Sequence, residues 1–441
     1  MGRAIYDELR QQRKNIQQVD SKLKKNKNER ENIQLKIKAY ERETQINYLK
    51  LEEEKNRKRR NFSLLAMVFL ILLVSEINMM SASFFDIYNN GFKAVWSHLL
   101  YIFIGLFACI FCIFFPYKKY NRNKTVGKLF MGSILIFLFV IIFGKYLSEF
   151  SPFIAKLVPK VNGAIGWIRI GGFSIQPAEI LKIPYIIVLA HAMEITEREK
   201  YGQIKLVVFL GVIIAIYMLL IIWQEDLGTS LHYLCIFVFM LFMTRFSIKW
   251  IIGISIGLLS VITGFFYYVY SLEDTTTMGY KIGRVGSFLN GLIHNEYDNL
   301  YGYQVWQSLL AFGSGGILGK GYANGVQKYS YLPEVRTDFI LASFGEEFGF
   351  VGMMILLFTF FMIFTIIKRI AMNTKDYFGK YLAIGIAGYI ITQALINISV
   401  AIGLLPVFGI PMPLFSYGGT SLVTVLAAIG IALNINNQGY K

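Results

Sequence analysis

One carboxylate, Asp338, stands where a polar stretch gives way to an apolar run. Residues 330–336 are polar, and Phe339 opens the next apolar segment. A carboxylate at a membrane boundary costs free energy unless it is paired, hydrated or used. Asp338 is therefore the candidate chemical centre. Placed in a cavity, it can accept a proton from a hydroxyl as a general base, or hold a hard cation through oxygen. The plainer alternative is a helix N-cap, a position that Asp suits.

Other charged residues fall in blocks rich in Gly and Pro. In the block from Asn162 to Lys182, Pro177 suits the first turn of a helix. Glu179 and Lys182 then lie three apart on one face and can pair, fixing local geometry or acting in a cavity. Arg169, beside Trp167, either binds an anion or anchors the chain at an interface. Glu225 and Asp226, in Gln224 to Ser230, are acids of a short turn, solvated or turned into a cavity. The stretch 279–325 holds Arg284 and Lys320, which could face a diphosphate, since Arg and Lys both bind phosphate. Gly319-Lys320 is not a phosphate loop, because Ser314 and Gly321 break the pattern. Its glycines instead allow tight turns or close approach of backbone to a ligand. Gly403 to Leu422, with three prolines and then Tyr417-Gly418-Gly419, reads as a stiff non-helical segment or as a plain helix connection.

The elements that must position these residues are apolar helices. The chain has 441 residues, is 55% hydrophobic and only 16% charged, against about 25% in soluble domains. Ten apolar segments can be counted, at about 62–80, 99–116, 126–147, 177–196, 205–223, 229–245, 250–270, 345–367, 380–402 and 419–436. Runs of this length can cross a bilayer. The expectation is an all-α polytopic membrane protein of ten transmembrane helices, with a large outer loop between helices 7 and 8. Every second loop is basic, which places both termini in the cytoplasm and the Gly/Pro-rich loops outside. Irregular backbone at membrane depth must line a cavity or be buried in protein, so those loops suggest one outward-facing cavity. Polar groups inside the helices are few, with Glu179, Lys182, Glu346 and Glu347 the main ones.

The net charge of +16 is uneven, and the first 61 residues carry 18 Lys and Arg against 10 Asp and Glu. Residues 1–61 read as a charged helical cytoplasmic arm, with 62–441 as the membrane domain. Ile5, Leu9, Ile16 and Val19 begin an interrupted 4,3 spacing that fits a solvated arm or a coiled-coil partner through residues 1–60. The positive-inside bias accounts for the basic excess, so no nucleic-acid partner is expected. Cys109 and Cys112 lie inside an apolar run and read as small apolar filler. The four histidines are scattered and suggest no zinc site.

The blocks around Asn162–Lys182, Gln224–Ser230, 279–338 and Gly403–Leu422 together resemble the SEDS family (shape, elongation, division and sporulation; RodA/FtsW-like) over about residues 62–436. The resemblance implies a peptidoglycan glycosyltransferase that polymerises lipid II into glycan strands on the outer face of the cytoplasmic membrane. It also implies a divalent metal cation (Mg or Mn) and a class B penicillin-binding protein as transpeptidase partner. Within it, Asp338 falls on the essential acid, here also the expected metal ligand, and Glu179 and Lys182 fall on a Glu-Lys pair. The chain departs from the pattern at Arg336, where His is usual, and at Glu225, where Pro is usual. A cation at Arg336 would favour the charged form of Asp338. Competing readings are a flippase for lipid-linked precursors and a non-catalytic scaffold of the division or elongation machinery.

Overall fold

The computed structural model describes residues 27–84, 87–88, 91–161, 163–171, 173–199, 203–243, 248–272, 280–298, 300–329 and 331–439. The chain divides into two compact units, Met1–Arg60 and Asn61–Lys441. In the first, the described part is the polar start of helix α1 (Lys27–Ala82). Its apolar residues Leu35, Tyr40, Ile46 and Leu51 are exposed. The candidate seam at Ile5, Leu9, Ile16 and Val19 lies outside the described residues.

The second unit is built almost wholly of helices. After the end of α1 come α2 (Lys93–Phe114) and α3 (Asn123–Ile141), which runs on into a π-helical turn, Ile142–Leu147. A short helix α4 (Pro152–Leu157) and a hairpin of β1 (Ile168–Ile170) and β2 (Phe173–Ile175) follow. Then come α5 (Pro177–Ile180), α6 (Lys182–Glu199), α7 (Gln203–Trp223), α8 (Leu227–Phe242) and α9 (Ile248–Tyr270). The last elements are α10 (Tyr280–His294), α11 (Tyr303–Gly315), α12 (Ile340–Asn373), α13 (Tyr377–Ala401) and α14 (Gly419–Gln438).

All ten expected apolar segments fall on helices. Among the described residues, α1, α2, α3 with its π turn, α7, α12, α13 and α14 are long and apolar enough to cross a membrane. This is an all-α polytopic membrane protein. The segment expected at 177–196 is divided at Leu181, where α5 ends and α6 begins. The bundle is centred on α13 and α14, which bury most of their length. Small residues allow close packing there: a Cβ on Gly430 would meet the Cys109 carbonyl at 2.3 Å.

The described residues between α9 and α12 form more than a loop. In α10, Val285, Phe288 and Leu289 recur at helical spacing and are buried. Gly315, at the end of α11, allows the helix to lie against α12, since a Cβ there would stand 2.2 Å from the Gly345 carbonyl. Gly349 breaks α12 with φ +65°. Into that break the 316–328 segment is tucked, with Phe350 and Val351 amides donating to the Gly316 and Ile317 carbonyls.

Two buried acids hold the tuck closed. Glu346 takes the Lys320 ammonium at 2.7 Å, the Gln327 amide and the Ser314 hydroxyl. Glu347 takes the Lys328 ammonium at 2.6 Å, the Ala323 amide and the Ser81 hydroxyl. Gly319 of this segment thus serves backbone-to-backbone packing, and Gly325 leaves room for the two carboxylates. A Cβ on Gly319 would lie 2.1 Å from the Glu347 carbonyl.

Lys328→Met should lower stability by about 3–5 kcal/mol, because it leaves the Glu347 carboxylate buried without a cation. Thermal unfolding in detergent reads the loss, and Glu347→Leu added to that variant should restore most of it. Unchanged unfolding of the single variant would show that the pair contributes nothing.

Candidate functional site

The chain reaches Asp338 through a series of turns. Glu334 sits at φ +53° and its carbonyl accepts from the Thr337 and Phe339 amides. Its carboxylate also takes the Thr337 hydroxyl at 2.7 Å. Helix α12 starts at Ile340, and its N-cap, Phe339, makes no side-chain capping bond. Asp338 is therefore not the side-chain cap of this helix.

Three successive carbonyls before the helix are each pinned. The Tyr417 amide donates to the Arg336 carbonyl at 2.8 Å. The Ser416 hydroxyl donates to the Thr337 carbonyl at 2.5 Å and itself accepts from the Met412 amide. The Asn397 side chain donates to the Asp338 carbonyl at 2.8 Å and the Ile410 carbonyl at 2.7 Å. One turn earlier on α13, Gln393 donates to the Pro411 carbonyl and the Ser421 hydroxyl. Both amides are buried. The non-helical 403–418 segment is thereby fastened to α13, and Asp338 to the segment.

With its backbone fixed, the Asp338 side chain opens on a cavity of about 240 Å³. Trp167, Gln176, Asp226, Arg284, Gln304 and Glu334 also line it. Gly409, at φ +70°, lets the segment pass close above the carboxylate, for a Cβ there would stand 3.5 Å from Asp338 Oδ2. Arg284 reaches in from α10 and donates to the Val407 carbonyl at 3.1 Å.

Asp226 enters as the N-cap of α8. Its carboxylate accepts the Thr229 amide at 2.9 Å, the Thr229 hydroxyl at 2.7 Å and the Gln176 side chain at 3.0 Å. The pattern Asp-x-x-Thr before an apolar run is legible as a cap. Glu225 beside it stands at φ +65°, like Glu334 in the left-handed region. Such conformations cost on the order of 1–3 kcal/mol each and gather at functional sites.

Burial pushes the Asp338 carboxyl up to about 7, the nearby Glu334 and Asp226 carboxylates add to the rise, and the Arg284 guanidinium opposes it. Its accessible surface leaves it half-buried and open to the cavity, so water there tempers the penalty. The opposing cation, Arg284, shares the cavity. Burial also raises the Asp226 carboxyl, against the Thr229 hydrogen bonds.

The remaining candidates lie apart from the cavity lining. Arg169 is on the exposed side of β1, opposite Ser174. Lys320 is committed to Glu346 in the tucked segment, so the expectation that it faces a diphosphate gives way to a structural pairing. Glu179 and Lys182 form a buried ion pair across the break at Leu181. The Lys182 ammonium also lies 5.4 Å from the centre of the Tyr389 ring. Gln176, Asn397, Ser416 and Glu334 were not singled out by sequence. The signal for Asn397 was there, as an amide in the otherwise apolar run 380–402 must find partners.

Among the described residues, no group of three or more His, Cys, Asp or Glu side chains is poised to hold a metal. The donor chemistry still fits a hard cation. Asp338 and Glu334 offer carboxylate oxygens that repel one another, and a cation that keeps most of its water needs only one or two such ligands.

Residues 60–441 match the model of a family described as cell cycle protein, whose label joins FtsW, RodA and SpoVE. A "Probable peptidoglycan glycosyltransferase FtsW" of Geobacter sp. (strain M18) is 32% identical over 84% of this chain and 93% of its own. Stage V sporulation protein E of Bacillus subtilis is 34% identical over 85% of this chain and 96% of its own. Among solved structures, the fold is similar to a chain of a peptidoglycan synthase complex that coordinates polymerization and crosslinking. That match has a TM-score of 0.66 at 22% identity, over 86% of this chain and 98% of that one. The rod shape determining protein RodA of Thermus thermophilus gives 0.59 at 21% identity, over 86% and 97%.

Asp338 binds its proton more tightly in the folded than in the unfolded chain. Stability should therefore fall as pH rises from 3.8 through about 7. Asp338→Asn should flatten that slope in melting experiments in detergent. Equal slopes in the two proteins would assign the dependence to other groups.

Proposed function

We propose, because this chain belongs to the cell cycle protein family of FtsW, RodA and SpoVE, that the cavity at Asp338 is where it joins sugars. The chain is a peptidoglycan glycosyltransferase of cell wall synthesis. In this reading the substrate is lipid II and the product a growing glycan strand. The observation that carries the assignment is the setting of Asp338: a carboxylate with a proton affinity near neutrality, on a pinned backbone, facing a polar cavity.

The reaction needs one base and charge stabilisation. An acceptor sugar hydroxyl gives its proton to ionised Asp338. Its oxygen bonds to the anomeric carbon of the donor. The bond from that carbon to the lipid diphosphate breaks, and the electron pair leaves with the diphosphate. A base whose pKa lies near the working pH is well matched to this transfer. Arg284, on the same cavity, is placed to meet the negative charge that develops on the leaving group. Asp226 accepts three hydrogen bonds from Thr229 and Gln176, and its part is to hold Gln176 and the start of α8. A divalent cation, Mg or Mn, would be held by Asp338 with Glu334 and would neutralise diphosphate charge.

The same reading has ten helices crossing the cytoplasmic membrane, both termini cytoplasmic and the cavity outside, supported by the alternation of basic loops. A class B penicillin-binding protein is the proposed transpeptidase partner, supported by the resemblance to a synthase that couples polymerization to crosslinking. Residues 1–60 are the proposed coiled-coil partner surface, supported by the exposed Tyr40 and Leu51. A flippase would need polar groups along a route through the helices. Glu179, Lys182, Glu346 and Glu347 are instead closed in ion pairs.

Purified protein with lipid II and a divalent cation should form polymer. Asp338→Asn should slow it by at least about 100-fold while lipid II still binds. Activity of the unsubstituted protein should rise as pH climbs through about 7, where the base ionises. Full polymerisation by Asp338→Asn would end the assignment. Labelled lipid crossing vesicles without polymer would favour the flippase.

A further inference from the structure

The turn between α7 and α8 is a wall shared by two cavities. On one side is the cavity of Asp338. On the other is a cleft of about 350 Å³, lined by Lys145, Ser148, Glu149, Lys160, Ile165 and Glu225 among others. Glu225 lines both. The wall is continuous, because the Ile165 amide donates to the Gln224 carbonyl at 2.8 Å.

Two cations meet Glu225 in this cleft. Lys145, on the π-helical turn, lies 3.4 Å from its Oε1, and Lys160 lies 3.3 Å from its Oε2. The π turn is itself what aims Lys145: Gly144 beside it is packed so closely that a Cβ would meet Ile165 at 2.1 Å. Both separations are long for charge-assisted hydrogen bonds, which are typically about 2.7–2.9 Å. All three side chains are partly exposed, at 36%, 59% and 29%. Pairs of this kind are weak and exchangeable. The Glu225 carboxylate thus lies between two ammonium groups at separations longer than charge-assisted hydrogen bonds, on a backbone held at φ +65°.

A group with more negative charge and more oxygens would pair with these lysines better than one carboxylate does. Both partners in glycan polymerisation bear a lipid diphosphate. Arg284 is placed for the diphosphate that leaves, and the second has no cation in the Asp338 cavity assigned to it. We propose that Lys145 and Lys160 form a second diphosphate seat beside the reaction cavity, which Glu225 closes until a lipid-linked sugar diphosphate displaces it. The proposal rests on the glycosyltransferase reading. Glu149 shares the cleft, so the seat becomes net positive only when Glu225 swings away, and its cost of opening selects for a multiply charged ligand.

The test uses the full chain in phosphatidylcholine nanodiscs, with lipid II turnover and binding of fluorescent lipid II measured side by side. Lys145→Gln with Lys160→Gln should raise KM and Kd for lipid II about ten-fold, a loss of about 1.4 kcal/mol, with kcat little changed. Glu225→Gln should lower both, and inorganic diphosphate should inhibit that variant at lower concentration than the unsubstituted protein. Unchanged KM and Kd in the lysine variant would overturn the seat. So would a Glu225→Gln protein that melts earlier with the same Kd, which would make Glu225 a structural lock only. An effect of the lysines seen only in phosphatidylglycerol nanodiscs would assign them to lipid headgroups and also overturn it. Absence of polymer from the unsubstituted protein would sink the glycosyltransferase reading instead, and the binding arm would still decide the seat.

Discussion

The site depends on a short ladder of hydrogen bonds to the carbonyls of Arg336, Thr337 and Asp338. A carboxylate on a free loop would lower its energy by turning toward water. The ladder forbids this, because each of three consecutive peptide units is held by a donor from Tyr417, Ser416 or Asn397. The donors are themselves anchored: Ser416 by Met412, and Asn397 by its place on a helix that buries most of its length. A backbone so constrained can leave its side chain in a place that is unfavourable for charge. That is what gives Asp338 an affinity for protons near neutrality.

Charge inside the bundle follows two patterns. Glu179 with Lys182, Glu346 with Lys320 and Glu347 with Lys328 are matched pairs that fix backbone breaks, at Leu181 and at Gly349. Buried pairs of this kind add little net stability but penalise any arrangement that separates them. Around Asp338 the balance is left open. Glu334, Asp226 and Asp338 crowd one cavity with Arg284 as the cation acting on Asp338. Structure-holding charges are matched one to one, whereas on the cavity three acids face Arg284, an imbalance that suits a ligand or a cation.

Much of this was legible in the sequence. Apolar run length located every major helix, and the boundary position of Asp338 singled it out, because both follow from local solvation. The Glu179–Lys182 pair followed from helical spacing. What failed was long-range. Lys320 sits in a block that looks anion-binding, but its partner Glu346 comes from α12, which no spacing rule foresees. The stretch 271–344 reads as a loop because its glycines mask two helices, α10 and α11, whose buried faces are short. Glu225 stands where the resemblance leads one to expect proline, and its φ of +65° is one that a proline ring cannot take. The turn as it stands here therefore excludes proline at that position, which residue type alone does not reveal.

The tuck between α11 and α12 also bears on how the chain is made. Lys320 and Lys328 precede Glu346 and Glu347 in the sequence, so synthesis releases two lysines before their counter-ions exist. Until the ribosome has supplied the start of α12, those amines have no partner there and must stay hydrated. The tuck therefore closes only after the start of α12 has been made.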